Sequence, residues 1–246
     1  MRFGVAVAAT CVASAALLAP TVPSTAASPS LVLSYQFNTD TTAAIRDSSA
    51  SGLTGTLVNA DPATAFVTGA PGKKKGLKLS ASQQQFVDVP QSSALDVDRY
   101  TLAAWVRYTG VQTPDTLGRW EVMEKAGAYW LNVRTNGKVR AGGFYGGCAD
   151  SQHWKYLDSS AAVPSNVWTH VAATYNGSRL VIYIDGMQSG SMSVTGTTCS
   201  NDEPLAVGAK NAPAKGILEA FWDGRLDDVR IYNKALSATR IGALAG

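Results

Sequence analysis

The stretch Trp168–Gly190, WTHVAATYNGSRLVIYIDGMQSG, decides the fold class of this chain. Apolar and polar residues alternate through its two long runs, and this is the period of a half-buried β-strand. Asn176-Gly177 and Asp185-Gly186 end these runs, and such pairs are the strongest short-range signal for a two-residue hairpin turn. The stretch therefore predicts antiparallel strands joined by tight turns.

The same alternation recurs upstream, in short runs separated by turn residues. It is clear in Tyr100–Tyr108 and in Tyr129–Arg134, and a further Asn-Gly pair follows at 136–137. About a dozen such strands without alternating helices predict an antiparallel sandwich and not parallel α/β units. Only residues 237–244 are typical of a helix, with Ser237 as the N-cap.

The composition is that of an ordinary folded protein and excludes several function classes. Of the 246 residues, 46% are hydrophobic and 16% are charged, and the formal net charge is +3. The one tight basic cluster, Lys73–Lys75, is interpreted as a solvated turn because nucleic-acid binding needs a basic face. No nucleic-acid partner is expected.

The N-terminal residues 1–27 have the pattern of a secretory signal peptide. A short positive start, Met1-Arg2, precedes the uncharged apolar run Gly4–Leu18, and Thr25–Ala27 supplies small residues for cleavage. This run is shorter than the roughly 20 residues that cross a bilayer. We expect a secreted, extracellular protein with one domain over residues 28–246 and no membrane insertion; the alternative is a retained N-terminal anchor.

Removal of the signal peptide would leave two cysteines, Cys148 and Cys199. In an oxidising compartment a disulfide is the default interpretation of such a pair. The bond would close a loop of about fifty residues and contribute about 4 kcal/mol in the chain-entropy model. The alternative is a zinc site that includes His153, although the sequence has no Cys-x-x-Cys pair.

Six ordered parts of the chain carry a shared pattern. They are Phe37-Asn38 with Asp47–Ser49 and Gly52–Leu57, then Gly76–Leu79, Phe86–Pro90, Tyr100–Val106, Trp168–Gly186 and Gly224–Ser237. Together, over about Leu31–Leu244, they resemble the LamG-like domains of the concanavalin A-like lectin/glucanase superfamily. The resemblance implies an all-β, two-sheet antiparallel jelly-roll sandwich, here with one short C-terminal helix, and binding of glycans or protein surfaces. Fold alone does not determine function.

The sequence lacks the carboxylate pattern of related glucanases. Laminarinase-like members place Glu-x-Asp-x-x-Glu on one strand, whereas this chain has Glu121-Val122-Met123-Glu124. Residues spaced by three point to opposite faces of a regular strand, so we expect Glu121 and Glu124 to be solvent-facing or salt-bridged. No Gly-x-Ser-x-Gly elbow is present, and His170 is interpreted as structural. We therefore predict a protein that is not an enzyme.

The resemblance also implies a calcium site. Carried over by position, its ligands would be Asn38, Asp47 with the carbonyls of the loop that follows it, and Asp227, because calcium takes six to eight oxygen ligands. Asn38 replaces the usual Asp and Ala50 the usual Gly, so we expect weaker binding. The alternative is that Asp47 caps a turn and Asp227 accepts hydrogen bonds at a strand end.

Aromatic and polar residues crowd the segment Gly143–Tyr156. This mixture suits sugars, because aromatic faces stack on pyranose rings and planar polar groups bind hydroxyls. The predicted ligand-binding residues are Tyr145, Asp150, His153, Trp154 and Tyr156. The alternative is that Tyr145 and Trp154 belong to the core.

Three functions remain open from the sequence. The first, which we favour, is a secreted non-catalytic carbohydrate-binding module with a glycan or polysaccharide as partner and a structural calcium ion. The second is a protein-adhesion module, which requires an exposed apolar patch. The third is a glycan-processing enzyme with an unrecognised carboxylate pair, such as Asp150 with Asp202 or Glu203.

Overall fold

The computed structural model describes Met1, Gly4 and residues 31–110, 115–148 and 151–246. The expected signal peptide and Asp150 therefore lie outside the described residues. Two antiparallel sheets pack face to face, which confirms the predicted all-β sandwich.

The elements of the described chain are short strands with two helices. In chain order they are β1 (Leu31–Tyr35), β2 (Ala44–Ile45), β3 (Gly55–Val58), α1 (Pro62–Ala65), β4 (Phe66–Thr68), β5 (Lys75–Leu79), β6 (Phe86–Val89), β7 (Tyr100–Tyr108), β8 (Arg119–Lys125), β9 (Tyr129–Arg134), β10 (Lys138–Phe144), β11 (Trp154–Ala162), β12 (Thr169–Tyr175), β13 (Arg179–Ile184), β14 (Met187–Ser193), β15 (Leu205–Val207), β16 (Lys210–Ala212), β17 (Ile217–Glu219), β18 (Gly224–Tyr232) and α2 (Ala238–Leu244).

We call the two sheets the front sheet and the back sheet. The front sheet has the strand order β11-β10-β9-β8-β15-β6-β3-β2. The back sheet has the order β14-β13-β12-β7-β18-β5-β4, and β1 pairs with the second half of β18. The hairpin β16-β17 forms a separate two-stranded sheet.

The turns predicted from Asn-Gly and Asp-Gly pairs are confirmed. They join β9 to β10, β12 to β13 and β13 to β14. Asp185 and Gly186 have φ angles of 47° and 78°, which is the positive-φ pair that a type I′ turn requires. At the C-terminus, the Ser237 hydroxyl accepts a hydrogen bond from the Arg240 backbone N–H, so the predicted N-cap is also confirmed.

The core lies between the two sheets. Alternate residues of each strand face it, as in Leu131 and Val133 of β9 and Leu102 and Ala104 of β7, all of them buried. Full burial of one such aliphatic side chain stabilises the fold by about 1.5–3 kcal/mol. The remaining residues of these strands point away from the core and form the outward faces of the sandwich.

Helix α2 covers part of the outward face of the back sheet. Its Ile241 packs with Ala103, Tyr183 and Tyr232 in a second buried cluster. Among the described residues, no helix has the length and apolar character needed to cross a membrane.

Candidate functional site

The outward face of the front sheet carries aromatic and charged side chains on neighbouring strands. Strand β10 pairs Gly142 with Trp130 of β9 and with Tyr156 of β11, and it pairs Phe144 with Trp154. Directly paired residues share one face of a sheet, so side chains from three strands meet here although they are distant in sequence.

Three of these rings form one cluster, which we call the aromatic platform: Trp130, Trp154 and Tyr156. The Trp130 and Trp154 rings are 5.9 Å apart with an interplanar angle of 29°, and Trp154 lies 4.9 Å from Tyr156. Trp154 is 42% exposed and Tyr156 is 40% exposed, whereas Trp130 is buried beneath them. Two large aromatic rings are thus held in fixed positions and open to solvent.

Arg140 and Asp158 border the aromatic platform. The Arg140 guanidinium lies 3.9 Å from the centre of the Tyr156 ring, and it donates two hydrogen bonds of 2.6 and 2.7 Å to the Asp158 carboxylate. These hydrogen bonds hold the pKa of Asp158 below its usual range. A cation and an anion in fixed positions therefore stand beside the exposed rings, as polar recognition of a hydroxyl-rich ligand requires.

The expectation that Glu121 and Glu124 point to opposite faces is wrong. A β-bulge between Glu121 and Met123 adds one residue to β8, so that Glu121 pairs with Asn132 while Glu124 pairs with Trp130. Asn132 and Trp130 are two residues apart and share a face, and both glutamates therefore point the same way. Nor is either side chain solvent-facing: Glu121 is 0% and Glu124 4% exposed.

The two glutamates form a buried carboxyl pair. Both side chains are buried and lie on the same face of β8. Burial raises the pKa of both groups, and Arg119 Nη1 lies 3.3 Å from Glu121 Oε1. Asn132 donates a further hydrogen bond of 3.1 Å to Glu121.

Residues 208–222, which we call the covering segment, lie over this carboxyl pair. The Glu121 backbone N–H donates to the Ala220 carbonyl, and Glu219 forms ion pairs with both Arg119 and Lys210. A retaining glycosidase holds its two carboxyl groups about 5–5.5 Å apart on either side of a sugar. Here both carboxyl groups lie buried beneath the covering segment and are not exposed to a sugar at the surface.

The predicted ligand-binding residues do not all lie together. Trp154 and Tyr156 belong to the aromatic platform, whereas Tyr145 lies in the core at 3% exposure, with its hydroxyl 2.7 Å from the Tyr100 hydroxyl. Tyr145 therefore does not contribute to this surface, a correction to the sequence analysis. His153 is half-buried and lies over Gly147, at the start of β11.

The predicted disulfide between Cys148 and Cys199 is present. It joins the turn after β10 to the loop before β15, next to the isolated bridge between Tyr145 and Thr198. Sequence reasoning missed Trp130, Arg140 and Asp158. Only the pairing of β9, β10 and β11 places these residues beside Trp154.

The predicted calcium ligands accept hydrogen bonds from the backbone. Both oxygens of Asp47 are occupied, by the N–H groups of Ser34, Ser49 and Leu53 and by the Ser49 hydroxyl. Asn38 accepts from two backbone N–H groups of the loop between β4 and β5, and Asp227 accepts from a third, Ala70. Because the four hydrogen bonds to the Asp47 carboxylate use all of its lone pairs, this side chain does not fit the role of a calcium ligand. Calcium binding itself stays a prediction.

His170 lies buried in β12, as expected of a structural residue. Its ring makes an edge contact with Trp105 at 5.6 Å, and burial lowers the pKa of His170 to about 4.

The family model of the concanavalin A-like lectin/glucanases superfamily, named Laminin_G_3, matches residues 81–242. This chain belongs to that superfamily. The match includes the strands of the aromatic platform, and the expected family is confirmed. Among curated proteins, no sequence matches this member of the superfamily.

Solved structures of binding domains share the fold of this concanavalin A-like chain. The binding domain of Paraclostridial Mosquitocidal Protein 1 has a TM-score of 0.65 at 19% identity, and the match covers 88% of this chain and 52% of that one. The binding domain of Botulinum Neurotoxin DC, in complex with SialylT, has a TM-score of 0.60 at 14% identity, over 88% and 50%. This chain thus spans about half of each toxin domain.

A third similar structure matches over nearly its whole length. Domain 4 of AbnA, an extracellular GH43 arabinanase from Geobacillus stearothermophilus in complex with arabinotriose, has a TM-score of 0.61 at 19% identity. The match covers 89% of this chain and 99% of that domain. At these identities the similarity establishes the fold alone.

Proposed function

We propose that this protein is a secreted, non-catalytic carbohydrate-binding module whose ligand lies on the aromatic platform. The observation that carries the proposal is the pair of exposed neighbouring rings, Trp154 and Tyr156, with Trp130 stacked against Trp154. Aromatic rings fixed before binding lose little conformational entropy when a ligand stacks on them. Large aromatic rings exposed side by side are typical of an interaction surface.

The ligand class follows from the chemistry around the rings. The C–H-rich face of a pyranose or furanose stacks on Trp154 or Tyr156, while Arg140 donates and Asp158 accepts hydrogen bonds with its hydroxyls. The similar structures support this class, since one is in complex with arabinotriose and another with SialylT.

A non-catalytic role is supported by the state of Glu121 and Glu124. Both are buried, and the covering segment lies over them. Acid–base chemistry on a glycosidic bond needs both groups in contact with the substrate. The proposed ligand-binding surface is the aromatic platform, which does not include Glu121 or Glu124.

Protein adhesion receives less support from the described surface. Outside the platform, and apart from Met1, the large exposed apolar side chains are Leu117, Val167, Met187 and Leu218. They belong to four separate segments of the chain, and none of them pairs directly with another across neighbouring strands.

The proposal is tested by binding to a glycan panel and to insoluble polysaccharides, with Trp154→Ala beside the wild-type protein. Loss of the stacked ring should weaken binding roughly tenfold, and Trp154→Phe should recover part of it. Met187→Ala, which removes an exposed side chain far from the platform, serves as the control. If the wild type binds no glycan, or if Trp154→Ala binds as well as the wild type, the proposal is wrong.

A further inference from the structure

Three cationic side chains stand in one row on the outward face of the back sheet. Arg225 of β18 pairs directly with Lys78 of β5 on one side and with Arg107 of β7 on the other. The neighbours of these residues, such as Leu77, Leu226 and Val106, face the core, so the three charges point outward together. With adjacent strands about 4.8 Å apart, the row spans about 10 Å.

Such a row is unfavourable without an anion. Like charges directly opposite each other destabilise a pair of strands, whereas opposite charges stabilise it. Within the described part of the chain, Lys78, Arg107 and Arg225 form no ion pair. Their known hydrogen bonds go to backbone carbonyls: Arg107 Nε donates to Asn166 at 2.7 Å, and Arg225 Nη1 donates to Thr68 at 3.5 Å.

The row borders a cavity of about 310 Å³. Ser80, Thr109 and Asn166 add neutral polar groups to its walls. One carboxylate, Asp223, also lines the cavity, but it is buried and accepts hydrogen bonds from the Thr109 hydroxyl and from the Ala81 backbone N–H. Three cations against one internally bonded anion leave the cavity with a net positive charge.

We propose that this cation row binds the sulfate or carboxylate groups of an acidic polysaccharide, at a site on the opposite sheet from the aromatic platform. The positive charge of the row is by itself the reason to expect an anionic ligand. The inference that this anion belongs to a polysaccharide rests on the proposed function. A single-stranded nucleic acid fits less well, because none of the described residues that line the cavity is aromatic and could stack on a base. Guanidinium groups match planar carboxylates and sulfates by paired hydrogen bonds.

The test compares two double variants that each remove two positive charges. Lys78→Gln with Arg225→Gln alters the cation row, and Lys215→Gln with Arg240→Gln alters exposed cations elsewhere. Arg107 is left intact because its side chain also holds the Asn166 carbonyl. Binding is measured by calorimetry to heparin, polygalacturonate, single-stranded DNA and, as the uncharged control, neutral dextran. Measurements are made at two salt concentrations, after circular dichroism has confirmed that each variant is folded.

The wild type should bind heparin or polygalacturonate, more weakly at the higher salt concentration, since salt screens exposed charges. The cation-row variant should bind roughly tenfold more weakly, and the control variant should bind like the wild type. Trp154→Ala should keep this binding, so that failure of the platform and failure of the cation row are distinguished. No binding to either polyanion, equal loss in both double variants, or equally tight binding of single-stranded DNA would overturn the proposal.

Discussion

Glu121 and Glu124 show how one extra residue changes the chemistry of a strand. In a regular strand their spacing would place the two side chains on opposite faces. The bulge at Val122 instead places both on the same, buried face. Burial and the neighbouring Glu124 carboxyl group both favour the protonated form of Glu121. The raised pKa of this pair is therefore a consequence of backbone geometry and of burial, its largest cause.

This pair makes stability depend on pH in a definite direction. A carboxyl group with a raised pKa in the folded state holds a proton that the unfolded chain releases near pH 4.5. Its contribution to the free energy of unfolding is greatest below that pH and declines as the pH rises toward the folded-state pKa. Glu121→Gln keeps the shape and a neutral donor, so above pH 6 it should be more stable than the wild type by about 1–3 kcal/mol.

Urea unfolding at pH 4 and pH 8 measures this effect. The two proteins should have similar midpoints at pH 4 and separate at pH 8. Asp202→Asn removes an exposed carboxylate and should follow the wild type at both values. If the urea midpoint of Glu121→Gln lies below that of the wild type at pH 8, the raised pKa of Glu121 is contradicted.

Single residues in the segment Gly143–Tyr156 were only partly predictable. Its composition marked a group of aromatic residues that includes Tyr145, Trp154 and Tyr156. Whether each ring faces the core or solvent depends on where the strands begin, and Tyr145 lies beyond the end of β10 while Trp154 opens β11. Trp154 is therefore exposed and Tyr145 is buried, a distinction that composition does not contain.

At the scale of elements, Gly142 of β10 leaves the space that the Trp130 side chain of β9 occupies. A Cβ atom at this position would lie 2.5 Å from Trp130 Cζ2 and 2.5 Å from the Lys155 carbonyl oxygen. Such distances are not tolerated, so the ring of Trp130 occupies its place in the platform because residue 142 has no side chain.

Gly142→Ala should therefore displace Trp130 and weaken glycan binding several-fold, with a loss of stability of about 1–3 kcal/mol from overpacking. Glycan binding and urea unfolding, measured on the same preparation, check both parts. Gly242→Ala is the matched control, because a Cβ there meets nothing within 4 Å. Unchanged glycan affinity in Gly142→Ala would show that Trp130 does not support the platform.

For the molecule as a whole, the hydrogen bonds of Asp47 bear on whether folding depends on a metal ion. All four hydrogen bonds to the Asp47 carboxylate come from donors within the chain, and they tie β1 to the loop before β3. A bound ion would have to displace at least one of these donors. These hydrogen bonds therefore order the loop without a metal ion.

We accordingly expect the melting temperature to be the same with calcium and with EGTA. A ligand at one hundred times its Kd would add about 2.7 kcal/mol to the stability, which is several degrees for a domain of this size. Asp47→Asn should lower the melting temperature under both conditions, because its amide nitrogen cannot accept a hydrogen bond. A rise in the melting temperature with calcium would instead establish the metal site implied by family resemblance.

The amino-acid sequence by itself determined the strands, the tight turns, the capped C-terminal helix, the cysteine pair and the superfamily. These features depend on neighbours within a few residues or on an ordered motif, so they can be read along the chain. The tertiary structure alone decided which strands became neighbours, where β8 bulges, and hence which side chains share a surface. The platform, the carboxyl pair and the cation row all join residues that only the strand register brings together, and register depends on the packing of the whole sandwich.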